Sequence, residues 1–222
     1  MGKTMGSPRS FSIKICGITQ INQAKQIAEI GADAIGLIGV KTSKRFVDEK
    51  KRRKIFSELE SRHPTTSRVW VIADLDDREI DQALTGEGTP SIIQLHGNES
   101  EIRCQSLKNK HKNIKWWKAI RIKGKRDLAI AQKYSLKVDA VLLDAWASSK
   151  LGGTGNKISL EILKGINFSS PWWIAGGIDA EWASQIKKEI KPYGFDASSK
   201  LEIKPGIKEF ELVKKLIKEV KS

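Results

Sequence analysis

The sequence predicts an α/β fold: a single (β/α)8 TIM barrel. Three observations carry this. Short apolar runs and amphipathic patterns alternate eight times without a linker or low-complexity block. The 222 residues fall within the range of about 200 to 250 common for one such barrel. Polar residues and glycines also collect at the C-terminal ends of the apolar runs, where barrels of this kind place their active sites. An open doubly wound sheet, with its usual count of about five or six strands, fits less well. No G-x-G-x-x-G opens the first helical pattern.

Residues 1–12 are polar, lack an apolar signal core, and carry Gly6 where a myristoylation signal needs Ser or Thr. They are expected to be a flexible extension ahead of a catalytic barrel over residues 13–222. The first apolar run, 13–18, contains Cys16-Gly17 and precedes the helical pattern 21–30. The second, 33–38, leads into a loop from Lys41 to Arg45 and a helix over 48–60. There Val47, Ile55, Phe56 and Leu59 form the apolar stripe, which leaves the basic run Lys50 to Lys54 mostly on the solvated face. Run 68–74 ends on Asp74 and precedes helix 77–84; run 91–96 ends on His96 and precedes 99–108. Run 114–121 ends on Arg121 and precedes 125–134. Run 138–144 delivers Asp144 into a glycine-rich stretch, DAWASSKLGGTG, followed by a short helix at 160–163. Run 172–178 carries Gly176-Gly177 and precedes 180–189; run 193–199 ends on Ser198-Ser199 and precedes 207–220. The opposite ends of the runs are a mixed set with no glycine pairs.

With 39% hydrophobic and 30% charged residues and a mean hydropathy of −0.38, the chain is expected to be soluble. No apolar run approaches the ~18 residues that would span a bilayer, so no membrane association is expected. Cys16 and Cys104 lie far apart in different elements, which is no disulfide framework and fits the reducing cytoplasm. The net charge of +14 is read as a Lys-rich surface that helps an anionic substrate arrive. No nucleic-acid-binding motif accompanies it, and no nucleic-acid partner is expected.

Gly152-Gly153, Gly176-Gly177 and Ser198-Ser199 follow the sixth, seventh and eighth runs, the loops that form a phosphate site in this fold. The expected partner is a small phosphorylated molecule. The absence of G-x-x-x-x-G-K-[ST] speaks against a nucleoside triphosphate. Cys16 and Asp144 supply one potential base and one potential acid. Lys14, two residues before Cys16, points to the same face and would favour the thiolate. Cys104, inside a helical pattern, reads as a packing residue. His63, His96 and His111 show no paired spacing with each other or with cysteine, and no metal is expected. His96 is placed to line the pocket, and Arg45 to hold a carboxylate in a bidentate fork.

An ordered set of motifs resembles the phosphoribosylanthranilate isomerase family of tryptophan biosynthesis. The segments are Lys14-Ile15-Cys16-Gly17-Ile18-Thr19, Gly31-Ala32-Asp33-Ala34-Ile35-Gly36, Ser43-Lys44-Arg45, Gln94-Leu95-His96-Gly97, Leu142-Leu143-Asp144, Gly152-Gly153-Thr154-Gly155, Ala175-Gly176-Gly177-Ile178 and Asp196-Ala197-Ser198-Ser199. The resemblance implies a (β/α)8 enzyme that needs no cofactor; a monomer or homodimer is expected. Its reaction would be an Amadori rearrangement of N-(5-phosphoribosyl)anthranilate. By position it implies Cys16 as general base, Asp144 as general acid with a raised pKa, and Arg45 beside the anthranilate moiety. His96, Gly153, Gly176, Gly177, Ser198 and Ser199, read from their positions at the ends of the runs, complete the expected binding set. The chain departs from the pattern at Lys200-Leu201-Glu202, where the family usually has Gly-Val-Glu, and at Val71-Ile72-Ala73-Asp74. Two other readings compete: a histidine-pathway aminoaldose isomerase, which would place Asp where Cys16 stands, and a non-catalytic sugar-phosphate binder, which would need neither Cys16 nor Asp144.

Overall fold

The computed structural model describes residues 11–145 and 157–222. Eight parallel strands close into a barrel: β1 (Ser12–Cys16), β2 (Ala34–Ile38), β3 (Ser67–Ile72), β4 (Ile92–Leu95), β5 (Lys115–Ile122), β6 (Ala140–Ala145), β7 (Trp172–Ala175) and β8 (Gly194–Ala197). Closure comes from β1, which pairs with β2 on one side and β8 on the other. The helices between them are α1 (Ile21–Ile30), α2 (Glu49–Arg62), α3 (Asp77–Ala83), α4 (Glu101–Lys110), α5 (Lys125–Ser135), α6 (Leu160–Leu163) and α7 (Ala180–Glu189). After β8 come a 3-10 turn (Ser199–Leu201), a hairpin of β9 (Glu202–Lys204) and β10 (Ile207–Lys208), and helix α8 (Phe210–Lys221).

Strand alternation divides the buried residues into two cores. Inside the barrel lie Ala34, Val69, Val71, Ile92, Trp117, Ala119, Ala140, Leu142, Trp173 and Ala175, with the Trp117 and Trp173 rings 4.7 Å apart. The other strand faces, including Ile13, Ile35, Ile93, Val141, Ile174 and Phe195, pack against the helices. Asp48, Asp76, Ser100 and Asp179 cap α2, α3, α4 and α7 by accepting a backbone N–H three residues on. Helix α8 buries Val213, Leu216, Ile217 and Val220, the stripe expected at helical spacing. Among the described residues no helix is long and apolar enough to cross a membrane.

Several expectations change. The first strand begins at Ser12, inside the segment read as an extension, and Phe11 stacks edge-on against Phe195. It ends at Cys16 because Gly17 turns the chain with φ of 76°. Strand β3 stops at Ile72, and Asp74 sits in a left-handed conformation with its carboxylate accepting from Asn98 N and Nδ2. The last helix starts at Phe210 because Pro205-Gly206 closes the β9–β10 turn with Gly206 at φ 84°. Of the basic run, Lys50, Lys51 and Lys54 are exposed as expected. Arg52 is not: it shares the inward stripe of Ile55, Phe56 and Leu59, is 1% exposed, and lies 4.5 Å over the Trp70 ring. Burial, with the neighbouring Arg53 charge, pushes its guanidinium down to about 10.

Candidate functional site

The C-terminal ends of the strands gather the polar residues that alternation turns inward. Cys16 ends β1, belongs to the inner core, and is 7% exposed. Two residues earlier Lys14 faces the same way but is fully buried, and its ammonium grips both oxygens of Asp196 on the adjoining β8, at 2.8 and 2.9 Å. Gly36 on the other neighbouring strand makes this possible. A Cβ there would stand 2.7 Å from Cys16 Sγ and 3.0 Å from Lys14 Cε.

Lys14 favours the Cys16 thiolate, as expected, but it does not decide the balance in this corner. Burial pushes the Cys16 thiol above its ordinary value; Lys14 pulls it down, but Asp196 adds a push of its own. Burial opposes the charge on Lys14 as well, yet Asp196 and Cys16 outweigh it and hold the ammonium protonated. Cys104 is buried in α4, where desolvation pushes its thiol up to about 12. Alkylation of Cys16 by iodoacetamide is therefore expected to accelerate with pH and to keep rising beyond pH ~8.5, the ordinary thiol value. A rate that levels off below that pH, read by mass spectrometry of the Cys16 peptide, would contradict this direction.

Across the mouth, Asp144 shares the inward parity of Ala140 and Leu142 on β6. Its Oδ2 is 3.4 Å from His96 Nε2, with both side chains about a quarter exposed at 26%. Gln94, buried below on β4, brings its Nε2 to 3.5 Å from His96 Nδ1. Arg121, at the end of β5, is exposed and sits in register with Asp144.

Arg45 is not a solvated loop arginine. Its side chain is 15% exposed, and it already holds a carboxylate: Nε lies 2.8 and 3.1 Å from the two oxygens of Glu202, and Nη2 lies 2.6 Å from Oε2. After β7, Gly176 and Gly177 both take positive φ, 95° and 64°, so two successive glycines curl the backbone at the mouth. Ser198 donates its hydroxyl to the Cys16 carbonyl at 3.0 Å, tying the tip of β8 to that of β1. Ser199 opens the 3-10 turn, and Lys200 beside it is exposed. Gly153 lies outside the described residues. Among the described residues no three of His, Cys, Asp and Glu gather to hold a metal ion.

Sequence reasoning reached Cys16, Asp144, His96 and Arg45, and the structure brings the first three to one mouth with Arg45 in the loop after β2. It missed Asp196, Gln94 and Lys208. Asp196 and Gln94 carried a signal, because each stands two residues before a predicted strand tip and so faces the same interior. Lys208 reaches the site only through the hairpin.

A barrel that carries a thiol and a carboxyl at its C-terminal mouth is suited to acid–base chemistry on a small molecule, and the chain is an enzyme of the (β/α)8 class. The sequence model of N-(5'phosphoribosyl)anthranilate (PRA) isomerase matches residues 13–219, and the chain belongs to that family. The N-(5'-phosphoribosyl)anthranilate isomerase of Synechococcus elongatus is 38% identical over 201 residues, spanning 90% of this chain and 92% of that one. The phosphoribosyl anthranilate isomerase of Thermotoga maritima superposes with a TM-score of 0.85 at 28% identity, covering 95% of this chain and 98% of that one. A phosphoribosyl anthranilate isomerase in complex with reduced 1-(o-carboxyphenylamino)-1-deoxyribulose 5-phosphate superposes with a TM-score of 0.81 at 28% identity, with the same coverage.

Proposed function

We propose that the chain isomerises N-(5'-phosphoribosyl)anthranilate in tryptophan biosynthesis, with Asp144 as general acid and Cys16 as general base. The observation that carries the assignment is the family match over residues 13–219, together with an inward-facing thiol on β1 and an inward-facing carboxyl on β6. Asp144 protonates the ribose ring oxygen, the C1′–O bond breaks, and the nitrogen lone pair forms the Schiff base. The Cys16 thiolate then removes the C2′ proton, the electron pair moves into the imine, and the resulting enamine tautomerises to the ketone. No electron is gained or lost.

Geometry gives each group a reason. With hydrogen on Nε2, His96 donates to the carboxylate that Asp144 becomes on losing its proton. The raised thiol value of Cys16 leaves little thiolate in the free protein but makes that thiolate a stronger base toward a carbon-bound proton. Gly153, Gly176, Gly177, Ser198 and Ser199 are assigned to the phosphate, and Arg45 to the anthranilate carboxylate. The barrel, which begins with the strand at Ser12, is the catalytic domain, working in the cytoplasm as a monomer or homodimer on a small phosphorylated substrate, without nucleic acid. Anthranilate fluorescence tests the proposal: turnover of phosphoribosylanthranilate quenches the signal, whereas a binder that does not catalyse leaves it constant.

Lys200, the family's usual glycine, makes no ion pair among the described residues and stands exposed. Its charge acts on phosphate only through solvent. Lys200→Gly is expected to change inhibition by inorganic phosphate less than about fivefold, and less still at high ionic strength. A tenfold loss would place Lys200 directly on the phosphate.

A further inference from the structure

The hairpin after β8 feeds a buried charge cluster into the loop after β2. Glu202 and Lys208 expose 4% and 0% of their side chains, far below what isolated charges tolerate. Glu202 Oε1 accepts from Lys208 Nζ at 2.8 Å and from Gly206 N at 3.1 Å, in addition to Arg45 Nε. Lys208 is itself fixed: its backbone exchanges hydrogen bonds with the Gln23 amide, and its ammonium donates to the Ser198 carbonyl at 3.1 Å. Burial by itself would raise the Glu202 carboxyl, but Arg45 and Lys208 outweigh it and hold the group ionised.

Two consequences follow for Arg45. The first is geometric. Glu202 occupies the Nε–Nη2 edge of the guanidinium, and Gly17 beneath it leaves room that a Cβ, 2.6 Å from Arg45 Cδ, would fill. Nη1 is left with no hydrogen-bond partner among the described residues. The second is electrostatic. An Arg–Glu pair alone is neutral and offers an anion little; with Lys208 added, two cations face one carboxylate and the cluster keeps a net charge of about +1 in a half-buried place.

We propose that Glu202, neutralised by Lys208, is a positioning residue for Arg45, holding the guanidinium by one edge so that its Nη1 end and a surplus positive charge face the anthranilate carboxylate. This rests on the assignment of Arg45 made above.

The test compares two ligands, reduced 1-(o-carboxyphenylamino)-1-deoxyribulose 5-phosphate and its phenylamino counterpart without the carboxylate, by calorimetric titration of the whole protein. Wild type is expected to prefer the carboxylate-bearing ligand by at least about tenfold, as a charge-assisted contact in a half-buried site should. In Glu202→Gln and in Lys208→Met that preference should fall at least about fivefold, while affinity for the carboxylate-free ligand stays within about twofold. Lys208→Met decides the matter if Glu202→Gln melts without a cooperative transition, since it leaves the Arg45–Glu202 pair in place and removes the compensating charge; the bond to the Ser198 carbonyl that goes with it bears on both ligands alike, so the ratio of their affinities is the readout. A wild-type preference that survives in the folded variants overturns this inference alone, and so does an equal loss for both ligands. A wild-type preference near one rejects Arg45 as the carboxylate's partner and overturns the inference with it.

Discussion

Asp144→Asn is expected to lower kcat by at least about 10²-fold while leaving the affinity for the reduced product analogue nearly unchanged, because a general acid contributes about 10² to 10⁴. The amide has nearly the shape of the carboxyl but no acidic proton to give the ribose ring oxygen. The substitution also touches little else. Asp144 lies at the barrel mouth, and its contact with His96, at 3.4 Å, joins two partly exposed side chains. Pairs of that kind contribute about 0 to 1 kcal/mol, so the melting temperature should move by only a few degrees. Ring opening in this variant would have to draw its proton from water. The decisive measurement is single-turnover fluorescence decay with enzyme in excess, which separates chemistry from product release. A mutant rate within threefold of wild type would remove Asp144 from the role of acid.

How much of this is legible in the sequence depends on the sequence distance over which each feature is encoded. The eight strands and their helices are encoded locally, in apolar runs and stripes, and the bounds of α1, α6 and α7 coincide with the predicted ones. The strand tips were legible for the same reason, since the end of an apolar run is a local event. What failed was pairing between elements. Lys14 was read against Cys16, its neighbour in sequence, whereas its main partner is Asp196, 182 residues away, reached only because β8 closes onto β1. Arg52 looked like one more solvated cation in a basic run, although spacing with Ile55, Phe56 and Leu59 placed it on the buried stripe. The departure from the family pattern after Ser199 falls on Lys200, whereas the charges that matter there, Glu202 and Lys208, are brought together by a turn whose sign in the sequence is Pro205-Gly206.

Cys16→Ser is expected to depress kcat by at least about 10²-fold as well, with the loss arising at the proton abstraction step. Serine is close in size to cysteine, so the tight fit against Gly36 survives, and the Ser198 hydroxyl still finds the carbonyl of residue 16. The chemistry does not survive. Burial raises the Cys16 thiol above its ordinary value, yet it remains far more acidic than an alcohol under the same burial, so the little thiolate that forms still far exceeds any alkoxide. Lys14 cannot take over as base, because Asp196 holds its ammonium protonated. Binding should persist, since neither the phosphate loops nor Arg45 relies on the sulfur. A deuterium at C2′ of the substrate sharpens the test: a primary isotope effect on single turnover should be larger in Cys16→Ser than in wild type, as C–H cleavage becomes the slowest step. If the variant keeps wild-type turnover within threefold, the proton at C2′ leaves to another group, and Cys16 serves only to fill the space that Gly36 leaves open.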